Sequence, residues 1–95
     1  MSGRVEKRLN LARMVAQRLA RLSVDSGWAR IAGGFRGGLL KLVEELEAKT
    51  DLESATEEEI AQADFLIDKG LKLLARAARD IGDPELARFV SEARR

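Results

Sequence analysis

The chain has 95 residues, with 17 Lys and Arg against 16 Asp and Glu for a net charge of +1, so it is one domain with no overall charge bias toward an anionic partner. Cysteine and histidine are both absent, which removes disulfides, thiol chemistry, the commonest metal ligand and the commonest general base. Hydrophobic residues make up 45% of the chain and aromatics only 4%, a helix-rich composition with too much apolar content for a disordered segment.

No apolar run reaches the length that a bilayer requires. The opening "MSGRVEKRLN" is basic but is not followed by an apolar stretch, so no signal peptide is read and the cytoplasm is the default compartment. A single helical domain over residues 1–95 is expected. A chain this short buries a modest core alone and gains from a partner subunit.

The first periodic segment runs from Gly3 to Leu22. Val5, Leu9, Ala12, Ala16 and Leu19 recur at helical spacing, and Leu11, Val15 and Leu22 add a second stripe beside them. A face that wide suits two neighbours. Ser23, Asp25 and Ser26 then offer N-caps for a second helix. Trp28, Ile31, Phe35, Leu39, Leu42 and Leu46 continue it in one register, with Trp28 and Phe35 expected in the core.

That register crosses "IAGGFRGGLLKL", which carries four glycines in six residues. Gly33 and Gly38 have the spacing of a phosphate-binding P-loop, but Leu39 and Leu40 stand where the motif needs Lys and Ser or Thr, and no strand precedes them. The dinucleotide pattern G-x-G-x-x-G fails as well. "FRGG" has the composition of the Arg-Gly-Gly element of RNA-binding tails, but those are disordered repeats and this is a single copy inside a periodic segment. One continuous helix over 28–47 is predicted instead. Ala29, Gly33 and Gly37 lie four apart, as do Gly34 and Gly38, so these rows run along one side of it. Interior glycines cost about 1 kcal/mol each relative to Ala, about 3–4 kcal/mol together, and close packing of another helix is the natural compensation. That helix belongs either to the same chain or to a two-fold mate.

"AKTDLESA" is the clearest connection. Thr56 followed by Glu59 forms a capping box, and Glu57 and Glu58 suit the positive end of a helix dipole. Ile60, Ala63, Ile67, Leu71, Leu74, Ala78 and Ile81 make the stripe of a third helix, which Gly82 ends. Asp83 and Pro84 read as N-cap and first residue of a short last helix with Leu86, Phe89, Val90 and Ala93 on its apolar face. The fold expected is all-α, an up-down antiparallel bundle of three long helices and one short C-terminal helix, which dimerisation would complete.

Charge is unevenly spread. Through Val24 there are six basic residues against Glu6, from Glu44 to Asp68 ten acids against Lys49, and from Lys69 onward a balance of +3. Antiparallel packing gathers Arg18, Arg21, Arg30, Arg76 and Arg79 at one end as a candidate anion-binding set, and sets Arg4, Lys7 and Arg8 near Glu44, Glu45 or Glu47. No aromatic is interleaved among those arginines as a base-stacking platform, because Trp28 and Phe35 lie on the apolar stripe. Among the acids, Glu57, Glu58, Glu59, Asp64 and Asp68 have helical spacing, but the Glu-x-x-His pattern of a di-iron bundle is missing. The serines Ser23, Ser26, Ser54 and Ser91 read as cap, linker or surface residues without a base.

The reading is therefore a non-catalytic interaction or assembly protein without catalytic residues, metal or cofactor. It self-associates as a dimer through Ala29, Gly33, Gly34, Gly37 and Gly38, and a further protein partner is the broader class. The alternative is a nucleic-acid- or anion-binding accessory protein using the basic end of the bundle. No membrane partner is expected.

Overall fold

A computed structural model of the chain describes residues 3–22, 27–49 and 55–94. Four helices follow in chain order: α1 (Gly3–Ala20), α2 (Gly27–Glu47), α3 (Glu57–Ile81) and α4 (Pro84–Ala93). No strand occurs among the described residues. The all-α bundle is thus the observed architecture. α1 and α2 are antiparallel, α2 and α3 are antiparallel, α1 and α3 run side by side in the same direction, and α4 folds back along α3. At ~1.5 Å per residue, the 25 residues of α3 account for nearly all of the molecule's 40 Å long dimension. α3 is the one helix that packs extensively on all three others.

Local chemistry sets the ends. The last turn of α1 tightens, Arg21 N–H donating to the Arg18 carbonyl (3.1 Å) and Leu22 N–H to that of Leu19 (3.3 Å), so the regular helix stops two residues short of the predicted Leu22. The proposed caps Ser23, Asp25 and Ser26 lie outside the described residues. α2 runs unbroken through all four of its interior glycines, as the register requires. At α3 both halves of the capping box form: Glu59 N–H donates to Thr56 Oγ1 (3.1 Å) and Thr56 N–H to Glu59 Oε1 (3.0 Å). Gly82 takes the left-handed conformation (φ 74°) with its N–H on the Ala78 carbonyl, which only glycine adopts without cost. Asp83 Oδ1 then accepts from the N–H groups of Glu85 and Leu86 at 3.1 and 3.2 Å and opens α4.

The core is wholly apolar among the described residues. Both stripes of α1 contribute, Val5, Leu9, Ala12, Ala16 and Leu19 together with Val15 and Leu22, which explains why that helix needs a wide face. α3 supplies Ala63, Ile67, Leu71, Leu73, Leu74, Ala77 and Ala78. α2 is asymmetric. Its C-terminal half buries Leu39, Leu42, Val43 and Leu46, whereas its N-terminal half buries only Ala32. Trp28 and Phe35 are half-buried and Ile31 is 50% exposed, so the stripe expected in the core leaves it over the first two turns.

Of the described glycines, the one with least room is Gly70, a buried residue of α3. A Cβ built there would lie 2.7 Å from Val15 Cγ1, 3.7 Å from Leu39 Cδ1 and 3.8 Å from Leu19 Cδ1. Val15 and Leu39 are both fully buried, and Val15 is β-branched and stiff at χ1, so it has no room to yield. Gly70→Ala should therefore destabilise despite a gain of about 1 kcal/mol in helix propensity, because overpacking costs about 1–3 kcal/mol. Val15→Ala opens a cavity that the new methyl can occupy. The double variant Val15→Ala/Gly70→Ala should melt above Val15→Ala alone in denaturant or heat, and equal or lower stability would remove this contact from the account.

Candidate functional site

Three surfaces gather the residues of interest. The first is the outer face of α2. Helical periodicity sets Gly37 opposite the buried side of α2, with Arg30 and Glu44 two turns to either side on the same line. A Cβ added at Gly33, Gly34 or Gly37 would meet nothing within 4 Å, and one at Gly38 would meet only Leu66, at an ordinary 3.8 Å. The close contact expected of the glycine rows is therefore not made among the described residues: Gly33, Gly34 and Gly37 are exposed, and Ala29 and Gly38 are half-buried at the edges of the strip. Two large apolar side chains flank this bare strip, Ile31 (50% exposed) and Leu40 (42%). Arg30 and Glu44 have no ion-pair partner among the described residues.

The second is the arginine set. Arg18 is engaged within the fold: its guanidinium lies 3.1 Å from Glu85 Oε1 and 4.8 Å from the Phe89 ring centroid, fastening α4 to α1. Arg21 lies in the same recess, beside Asp83 and Glu85. Arg79 lines a separate hollow between α3 and α4 with Ser91 and Arg94. Arg30 is on the outer face of α2 and Arg76 on the α2–α3 side. The five arginines thus do not form one anion site, because three helices turn them in different directions.

The third is a groove of about 270 Å³ between α2 and α3, lined by Trp28, Ile31 and Phe35 on one wall and by Lys69, Lys72, Leu73 and Arg76 on the other. Trp28 Nε1–H donates to Asp80 Oδ2 (3.0 Å), which holds the indole at one end. Lys69 Nζ lies 5.6 Å from the ring centroid of Phe65, a side chain 58% exposed. Lys72 pairs with Asp68 at 3.1 Å, an acid that also faces Arg94 at 3.8 Å. Arg76 has no ion-pair partner among the described residues. Aromatic and basic residues that are separate in sequence are therefore interleaved in space, across two helices. The sequence reading missed Lys69, Lys72 and Phe65; their recurrence along one side of α3, opposite Trp28 and Phe35, is the signal that could have found them.

The acids serve the bundle. Asp64 takes a two-pronged contact from Arg8, with Nε at 2.7 Å and Nη2 at 3.2 Å. Glu47 takes Arg13, whose Nε is 3.0 Å from Oε1. The pairing differs from that expected: Arg8 reaches α3 instead of Glu44, Glu45 or Glu47, because α1 and α3 run side by side. No cluster of three acids placed to hold a cation occurs among the described residues. Also among them, no helix is long and apolar enough to cross a membrane.

Comparison of the chain with protein-family models, with curated proteins and with solved structures finds no match.

Glu59 has its pKa held below the usual carboxylate value of 4.5, first by the hydrogen bond from the Thr56 backbone N–H and next by Lys49, whose Nζ is 3.1 Å away. A lowered folded-state pKa means that this contribution to stability is complete above the unfolded value and is lost as pH falls through the folded one. The melting-temperature advantage of wild type over Glu59→Gln should therefore be largest near neutrality and shrink below about pH 4.5. An advantage unchanged down to pH ~3 would show that the charge of Glu59 does not act here.

Proposed function

We propose that the chain is a non-catalytic assembly protein that pairs with a second copy of itself through the outer face of α2. The observation that carries this reading is the solvent-facing glycine strip. Gly33, Gly34 and Gly37 weaken α2 by about 1 kcal/mol each, and nothing among the described residues approaches them closely enough to compensate. A helix backbone from outside the chain can do so.

An antiparallel pair with its two-fold axis at Gly37 supports the reading in charge and in shape. Arg30 and Glu44 lie seven residues before and after Gly37, so each copy's Arg30 comes level with Glu44 of the other. Leu40 comes level with the side-chain-free strip at Gly33 and Gly34. The self-complementary patch that a two-fold interface needs is present on one helix. On this reading a second copy is the principal partner.

Association should be tested by sedimentation or light scattering over a concentration series. Gly37→Leu is expected to raise the stability of the isolated fold by somewhat under 1 kcal/mol, since it gains propensity and meets nothing, while abolishing the pair. Arg30→Glu and Glu44→Arg should each weaken pairing several-fold, and the double exchange should restore it. A wild-type chain that stays monomeric at high concentration overturns the proposal.

A further inference from the structure

The α2–α3 groove carries a different inference, independent of self-association. Its two walls differ in chemistry. Trp28 and Phe35 stand two turns apart on α2, about 10 Å along the axis, and offer ring surface that the bundle leaves partly uncovered. Lys69, Lys72 and Arg76 span the same length of α3 opposite them. Ile31 and Leu73 complete an apolar floor, and Phe65 with Lys69 extends the pattern beyond one end.

We propose that this groove binds a short single strand of nucleic acid, with bases against Trp28 and Phe35 and phosphates along Lys69, Lys72 and Arg76. The argument is complementarity of two kinds at once. An acidic peptide could answer the cations but would leave the ring faces unused, and an apolar peptide would leave the cations unanswered. A single strand offers both a repeating anion and flat π surfaces, and sequence-tolerant single-strand binders combine a basic groove with stacking aromatics in this way. The acids at the edges do not cancel the cations. Asp80 keeps its negative charge while accepting the indole N–H at one end, and Asp68 is shared by Lys72 and Arg94, so two acids stand against the four cations Lys69, Lys72, Arg76 and Arg94. Arg76 reaches the groove without an internal partner among the described residues.

Trp28 is the chain's one tryptophan, so its fluorescence reports on the groove directly. The experiment titrates the full chain with an oligothymidylate of about eight nucleotides at several salt concentrations. Quenching of Trp28 is expected, with log K falling linearly in log salt at a slope near −2 for three cations, since each phosphate contact on a single strand contributes about −0.7. Arg76→Gln should weaken binding and make the slope shallower by about 0.7. Phe35→Leu should weaken binding about five-fold or more and leave the slope unchanged. Lys72→Gln, at an exposed position, guards against a folding defect in the Phe35 variant and should reproduce the slope change of Arg76→Gln. Gly37→Leu should bind as wild type does, because the groove lies within one chain. The proposal is overturned by absence of quenching or by poly-glutamate binding as tightly as the oligonucleotide. Indifference to Phe35→Leu, or loss of binding in Gly37→Leu, overturns it equally.

Discussion

At the junction of α1, α2 and α3 there is no space for a side chain at residue 70, and the placement of the helices follows from that constraint. Gly70 faces Val15 and Leu19 of α1 and Leu39 of α2 together. The three most deeply buried large side chains, Leu39, Leu74 and Val15, come one from each of the three long helices. Because α1 sits so close to α3, Arg8 reaches Asp64 across that seam, and Arg18 reaches Glu85 and Phe89 on α4. The salt bridges are mostly exposed and each adds little. They mark the register that apolar packing has already set.

The same junction explains why α2 is two different helices in one. Leu39 anchors it at Gly70, and from there to Glu47 Leu42, Val43 and Leu46 are buried as well, with Leu40 left on the outer face. Toward its start only Ala32 is buried, and Trp28, Ile31 and Phe35 spread over the surface of α3 instead of entering the core. The groove with its basic wall and the bare glycine strip both belong to this half.

Elements whose signals are local were legible in the sequence. Thr56 with Glu59, Gly82, and Asp83 with Pro84 each act within a few residues, so spacing alone identified them. The unbroken register identified the continuity of α2. What periodicity cannot supply is which neighbour covers a face. It placed Trp28 and Phe35 on the right stripe but could not show that the stripe outruns its cover. It placed Arg8 at the correct end of the bundle but gave it partners on α2, where the structure pairs it with Asp64 of α3. The glycines are the sharpest case. Four clustered glycines drew the expectation of close packing, yet among the described residues Gly33, Gly34 and Gly37 meet open space and Gly38 only an ordinary contact with Leu66, while the solitary Gly70, set between Lys69 and Leu71 in an ordinary stripe, makes the tight contact. An isolated glycine inside a helical pattern costs about 1 kcal/mol against Ala and usually has a packing reason, and that was the available signal.

The two surfaces of α2 are set apart by its geometry. At 3.6 residues per turn, Phe35 and Gly37 point about 160° away from each other, and Trp28 is nearly opposite Gly37. A helix seated on Gly37 therefore leaves both rings uncovered and touches the groove's lining only at Ile31. A two-fold axis perpendicular to antiparallel helices and lying in their interface preserves the lateral side on which each feature lies. Both grooves of such a pair would open on the same side, running in opposite directions. Their separation would be fixed by the pairing itself, so one strand long enough to reach both would meet the second groove at a high effective concentration. Self-association and strand binding would then be linked through avidity, with no movement required inside either chain.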